Sequence, residues 1–430
     1  MRKSFLTAAV AVAASAGLVL SATPAMAVDL AAKGASFSYN MLNACTASYP
    51  TDKVTYESTG SGTGRSEFAK GTVDWAGTDG LYKTTEVPGG ASTLFTSDKN
   101  SKFMTIPLLG GPIVFAYSLP GIGDGFNLDS PTISKIFKGD IKSWADPTFV
   151  ELNPKAKLPK ATKTGYFKVA IAGSGEHRQV RNVTSGLVSS ITYVSKAADI
   201  ADGITGKTYD YDYKDRFSIR VAYRESGSGT TTNLTRYLSQ TSGSPWQADN
   251  KDLIKATNAT GTGTAATFAP VSTSFPTAQD LAEYVEDTAW SFGYFDLSDA
   301  LSASVGIAKL KNAAGAFVAP SSSAAAKLLA LQTVVTATED YRNGTVSMDF
   351  TKVVSGAYQA SIITYGLAPR FESAAAVYKN TSTDPNKIAV RKFFEYVVGK
   401  CVPANASRLG YVALSGALKT SALNQIKKIG

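Results

Sequence analysis

Three short segments of this 430-residue chain combine small residues with hydroxyls at places where a helix can begin. Gly34-Ala35-Ser36-Phe37 leads into a stretch carrying Leu42 and Cys45. Ser58 to Arg65 (STGSGTGR) leads into Ser66-Glu67-Phe68-Ala69, and Arg224 to Thr230 (RESGSGT) leads into Asn233-Leu234. Small residues let the backbone come close to a ligand. Free N–H groups and the positive end of the helix dipole then point at one spot. That is the chemistry of an oxyanion site. Any one such turn is by itself only an N-cap. Three in one chain, with Arg224 offering a planar fork of donors at the mouth of the third, point to a tetrahedral oxyanion. A fourth element, Val73 to Asp79 (VDWAGTD), reads as a strand with Asp79 at its C-terminal end. On pattern alone Asp79 is a cap or turn residue.

Composition excludes several other chemistries. The chain holds a single His, His177, so histidine-dependent catalysis and His-ligated metal sites have little to work with. Ser61 and Ser228 sit in glycine turns, but neither lies in Gly-x-Ser-x-Gly. Gly203 to Thr208 (GITGKT) resembles a phosphate-binding loop with the wrong glycine spacing. No catalytic residue, metal or cofactor is expected. The formal net charge of +9 is scattered rather than clustered with aromatics, which argues against a nucleic-acid partner. With 44% apolar residues the chain can bury a sizeable core, and its length suggests two or three lobes.

The N-terminus has the features of an export signal. Arg2 and Lys3 precede a small and apolar run from Phe5 to Leu20. Ala25-Met26-Ala27 offers a cleavage site, so residues 1–27 read as a signal peptide cleaved after Ala27, with no cysteine for a lipid anchor. No later window supplies the roughly 18 uninterrupted apolar residues of a membrane span. The mature chain is therefore expected to be exported and soluble, without an integral membrane segment. In an oxidising compartment Cys45 and Cys401 could bridge if they are close in space, or remain two small buried hydrophobes.

Strands alternating with helical stretches indicate an α/β architecture. Phe217 to Tyr223 alternates at period two, and Val390, Phe393, Phe394 and Val397 recur at helical spacing. Residues 161–216 are polar and rich in Gly and Thr, and read as a surface insertion.

Taken in order, these segments resemble the extracytoplasmic phosphate-binding proteins of bacterial ABC-type phosphate importers. Three further stretches carry the likeness: Gly111 to Gly121 (GPIVFAYSLPG), Leu128 to Pro147 (LDSPTISKIFKGDIKSWADP) with Leu152-Asn153-Pro154, and Ser291 to Phe295 (SFGYF). The resemblance implies a two-lobed periplasmic-binding-protein (Venus-flytrap) fold, with a mixed sheet in each lobe and two crossing hinge strands near Val114–Tyr117 and Gly293–Phe295. Residues 28–113 with 296–430 would form lobe one, where Cys45 and Cys401 could meet, and residues 114–295 would form lobe two. Inorganic phosphate would lie between the lobes, and the partner would be the importer's ABC permease, approached by a monomer.

Residue by residue, Ser36 and Phe37 match the first-loop pair and Ser61 the second-loop serine. Asp79 matches the acceptor aspartate, and Arg224, Ser228, Gly229 and Thr230 match the third loop. Two positions depart from the pattern. Ser36 stands where Thr is commoner, and Ser226 stands where an Asp usually pairs with the arginine, leaving the partner of Arg224 open between Glu225 and another group.

An aspartate in such a site is informative. A carboxylate repels an anion in a low-dielectric cleft unless the guest carries a proton to donate. Hydrogen phosphate carries one at neutral pH, and sulfate does not. Three rival readings stand beside this one: a secreted phosphatase or esterase, a binder of another oxyanion, and a wall-associated adhesive protein that keeps the fold.

Overall fold

The computed structural model describes residues 27–82, 103–158, 166–172, 187–194, 217–266, 268–337, 341–370 and 384–430. The proposed signal peptide before Ala27, His177, Gly203 to Thr208 and most of the 161–216 insertion lie outside the described residues. Of the insertion, β6 (Tyr166–Ala172) pairs antiparallel with β7 (Leu187–Val194).

The first half of the fold is a parallel unit. Strands β1 (Asp29–Gly34), β2 (Lys53–Ser58) and β3 (Trp75–Thr78) lie in the order β2-β1-β3. Helices α1 (Tyr39–Ser48) and α2 (Ser61–Lys70) connect them. Glycines allow α2 to lie close to the strands. A Cβ on Gly34, where φ is +150°, would stand 2.0 Å from the Gly77 carbonyl oxygen. One on Gly64 would stand 2.6 Å from the Gly34 Cα. The N-terminus of α2 is thereby drawn to the end of β3.

The 15-residue strand β4 (Phe103–Tyr117) is buried throughout and joins the two halves. Phe103 to Pro112 pairs antiparallel with β16 (Ser361–Pro369), which also pairs with β3. Ile113 to Tyr117 pairs instead with β10 (Ser291–Asp296), and β10 continues to β8 (Arg220–Arg224) and β9 (Ser272–Phe275). The result is one curled mixed sheet, β2-β1-β3-β16-β4-β10-β8-β9. Of the two crossing strands expected, β4 runs through both halves, whereas β10 pairs wholly within the second.

The second half also contains β5 (Asn127–Leu128), α3 (Ser130–Lys138), α4 (Pro147–Leu152), α5 (Gly229–Thr241), α6 (Leu253–Ala256) and α7 (Ala278–Asp287). Local chemistry sets their ends. Asp129 accepts from the Thr132 N–H at the start of α3, and Gly139 closes that helix at φ +76°. Ser228 accepts from the Thr231 N–H at the start of α5. After β10, α8 (Leu297–Ser302) packs with Val114 and Ala116, β11 (Gly306–Ile307) pairs with the end of β4, and β12 (Lys309–Lys311) pairs with β5. The chain therefore stays with the second half past residue 296. It rejoins the first half at α9 (Ser322–Leu329), which packs on β4 and β16.

The C-terminal helices close the first half. Helix α10 (Pro385–Tyr396) sets Phe393 and Phe394 against Trp75, and Tyr49 against Phe393 and Tyr396. A π-helical turn, Val397–Cys401, follows, and Cys401 is disulfide-bonded to Cys45 on α1, 356 residues away. Cross-linking a loop of that length contributes about 5 kcal/mol in the chain-entropy model. The double replacement Cys45→Ser with Cys401→Ser is expected to lower the unfolding temperature by several degrees in scanning calorimetry. An unchanged transition would show that aromatic packing alone secures the terminus.

Candidate functional site

The parallel strands β1, β2, β3 and β8 end at one place, and the residues after them form the three turns. In α/β sheets such carboxyl ends of strands are where ligands bind. The helices that follow, α1, α2 and α5, begin there. Two halves of the fold meet directly: the Gly62 N–H donates to the Gly227 carbonyl at 2.8 Å. A Cβ on Gly229 would stand 2.3 Å from Ser61 Oγ, 2.8 Å from the Gly80 N and 2.9 Å from the Asp79 Cβ. The second and third turns are thus pressed against each other with Asp79 between them, so the lobes are closed.

Ser36, Ser61, Asp79, Arg224, Ser228 and Thr230 are all buried, none more than 3% exposed. Asp79 follows β3 directly. Its N–H donates to Ser61 Oγ at 3.1 Å, its carbonyl accepts from Asn233 Nδ2 at 2.7 Å, and its Oδ1 accepts from Thr364 Oγ1 at 2.6 Å. Burial pushes its carboxyl up to about 6, against the pull of the Thr364 hydroxyl, Arg224, Ser61 and Arg65.

Arg224, at the end of β8, reaches across the seam. Its Nη1 donates to Ser36 Oγ at 2.5 Å, its Nε to the Phe275 carbonyl at 3.3 Å, and its Nη2 to the Pro276 carbonyl. Glu225, one of the partners left open from the sequence, is exposed, and so is Ser226. Backbone carbonyls at the end of β9 orient the guanidinium instead. This follows from geometry: a side chain next in sequence along a strand points to the opposite face. Burial lowers the proton affinity of Arg224, and Tyr294, Asp79, Asp280 and Asp299 raise it.

Ser36 also accepts from the Ala278 N–H at 3.1 Å. A hydroxyl has two acceptor positions and one proton. With Arg224 and Ala278 on the oxygen, the proton of Ser36 is left to donate. Phe37 is fully buried, and its carbonyl accepts from the Tyr411 hydroxyl at 2.8 Å. Ser228 and Gly229 form the start of α5, with Thr230 in its first turn. All eight residues singled out from the sequence therefore lie around one seam.

Three participants were not singled out. Thr364 is a buried hydroxyl in the largely apolar strand β16, beside Tyr365, and nothing in the pattern sets it apart. Asn233 looked like an ordinary helix residue. Arg65 stood in a quoted segment without a role; it donates to Thr78 Oγ1 at 3.3 Å and to the Gly80 carbonyl at 2.9 Å. Among the described residues no group of His, Cys, Asp and Glu is arranged to hold a metal ion, and no helix is long and apolar enough to cross a membrane.

The model of a PBP superfamily domain matches residues 21–209. Across 370 residues it is 24% identical to the phosphate-binding protein PstS of Xylella fastidiosa strain Temecula1, spanning 84% of this chain and 77% of that protein. To the PstS of strain 9a5c it is 25% identical over 305 residues, 70% of this chain and 62% of that protein. A periplasmic phosphate-binding protein solved with phosphate bound, PfluDING, shares the fold with a TM-score of 0.59 at 16% identity, covering 91% of this chain and 92% of that one. The two-lobed periplasmic-binding-protein fold is accordingly that of this chain.

The hydrogen bond from Thr364 favours the charged form of Asp79. Thr364→Val keeps the shape and removes the donor, so the Asp79 titration, followed by carboxyl carbon NMR, is expected to move upward from about 6. A downward or absent shift would mean that Thr364 does not donate to this carboxylate.

Proposed function

We propose that this chain captures inorganic phosphate between its lobes and presents it to the permease of an ABC-type importer. The observation that carries this reading is Asp79. It is a buried carboxylate at the meeting point of three helix N-termini, beside a buried arginine. Neutral N–H and hydroxyl donors with Arg224 would supply affinity for an oxyanion. Asp79 would reject any guest unable to give it a proton. The relatives named phosphate-binding proteins support the same guest.

In this reading Ser36, Ser61, Ser228 and Thr230 offer hydroxyls, and Phe37, Gly229 and the adjoining residues offer backbone N–H groups. The protein acts by binding rather than turnover. Ser61 and Ser228 have no histidine beside them in the sequence motifs of hydrolases, and the one histidine, His177, falls in the insertion. A monomer exported by its N-terminal signal and working at the cell envelope completes the proposal.

Native mass spectrometry of the purified protein is expected to show an adduct of phosphate mass, removed by dialysis under denaturing conditions. A protein that takes up no phosphate when refolded with it would sink the reading.

Selectivity tests Asp79 directly. A hydrogen bond to a charged group contributes about 1.5–3 kcal/mol, so its loss costs at least about tenfold in affinity. Asp79→Asn is expected to weaken phosphate and to narrow its preference over sulfate. In the parent protein the carboxyl is ionised above pH about 6 and repels sulfate. As pH falls through that value Asp79 takes up a proton and becomes a donor. Sulfate affinity should therefore rise in acid for the parent and stay level for Asp79→Asn, as titration calorimetry would read.

A further inference from the structure

Behind the ion site, a second polar cluster crosses the seam between the halves. Asn40 on α1, in the first half, donates from Nδ2 to Asp299 Oδ1 at 2.7 Å and to Ser298 Oγ at 3.2 Å. Gln279 on α7, in the second half, donates from Nε2 to Asp299 Oδ2 at 2.8 Å. The same amide nitrogen reaches the Ser36 carbonyl at 3.3 Å, and its Oε1 accepts from Ser58 Oγ at 2.9 Å. Asp299 is buried at 6% exposure on α8. Both of its oxygens therefore accept from amides, one donated from each half.

Three other groups face this carboxylate. Asp296 is buried on the same turn; its Oδ1 accepts from the Asp299 N–H and from the Tyr411 hydroxyl, which comes from the first half. Burial and the neighbouring Asp299 carboxylate hold the Asp296 carboxyl well above its ordinary range. Arg224 contributes an attractive charge from β8. The donors on the two Asp299 oxygens are the Asn40 and Gln279 amides, one from each side of the seam.

Asn40, Gln279 and Asp299 are not among the eight proposed to touch the ion, yet their contacts end on the first turn. The Ser36 hydroxyl is gripped by Arg224 and Ala278, and its carbonyl by Gln279. Resting on the phosphate reading, we propose that Asn40, Gln279 and Asp299 form a closure latch: amides from the two facing lobes meet on one buried carboxylate and hold Ser36 in its binding position. They are positioning residues, acting on the ion through Ser36. A latch formed only on closure retains the guest by slowing reopening, so it acts on the dissociation rate.

The test exchanges an amide for an acid. Asn40→Asp places a carboxylate against Asp299 Oδ1, and Gln279→Glu places one against Asp299 Oδ2, from opposite sides of the seam. The two variants guard against misfolding of either one. Stopped-flow and calorimetric phosphate binding are compared in parent, Asn40→Asp, Gln279→Glu and Asn40→Ala. At pH 8 both acidic variants are expected to bind at least tenfold more weakly through faster dissociation, and to recover toward the parent at pH 5 as the new acid takes up a proton. Asn40→Ala is expected to lose affinity at both pH values without that recovery. Parent-like affinity and dissociation in both acidic variants at pH 8 would overturn the latch alone. A uniform loss without pH recovery in both would also overturn it, showing only damaged packing. A parent that binds no phosphate would overturn the functional reading and, because the latch is defined by closure on that ion, the latch with it.

Discussion

A carboxylate shut away from water near a buried arginine is the constraint that orders this molecule. Asp79 lies where three helices begin, and burial alone drives its proton affinity upward. Closing the lobes on nothing therefore means desolvating a charge, with Arg224 and the Thr364 hydroxyl offsetting only part of the cost. A guest that brings both negative charge and a proton removes the difficulty twice. It satisfies the helix N-termini and arginine, and it gives the carboxylate a donor. In the proposed reading such a guest would offset the cost of closure, which would make the two lobes a selective trap rather than a sticky cleft.

The scaffold around that point is shaped by how close backbones must come. Gly34, Gly64 and Gly77 stack at the end of the parallel unit, where a single methyl group would collide with main-chain atoms or the Tyr56 hydroxyl. Their smallness lets α2 start beside the end of β3, so that Ser61 reaches the Asp79 N–H. Gly229 plays the same part across the seam. The aromatic cluster of Tyr49, Trp75, Phe393 and Phe394, with the Cys45–Cys401 bond, works at the far side of the first lobe. It fixes α1 and the C-terminal helices to the sheet.

What the sequence revealed follows the range of the interactions. The turns were legible because their chemistry is local: small residues, a hydroxyl and a helix start within a few positions. Asp79 stood at a strand end for the same reason, although only the resemblance assigned it a role. Thr364, Asn233, Asn40, Gln279 and Asp299 were not legible, because each matters through a partner between 20 and 285 residues away. The partner of Arg224 stayed open in the sequence for a related reason. A neighbour in sequence, Glu225, was weighed as its partner, while the carbonyls of Phe275 and Pro276 take that place from the adjacent strand. The lobe boundary at 295/296 erred similarly: strand pairing keeps residues 306–311 with the second half, and no composition change marks where the chain returns.

Ser36 is where recognition and closure become one process. Its oxygen accepts from Arg224 and from the Ala278 N–H, both in the second lobe, and its carbonyl accepts from Gln279. Its own proton is left to donate in the third direction, which in the proposed reading is the guest's. Aligning that proton and docking the lobes are thus the same event, and whatever stabilises one must stabilise the other by an equal amount. A serine suffices for this task where threonine would add a methyl group, because three fixed donors, rather than a preferred rotamer, set its orientation. Affinity in such a site resides less in any single contact to the ion than in how completely the far lobe holds the groups of the near one.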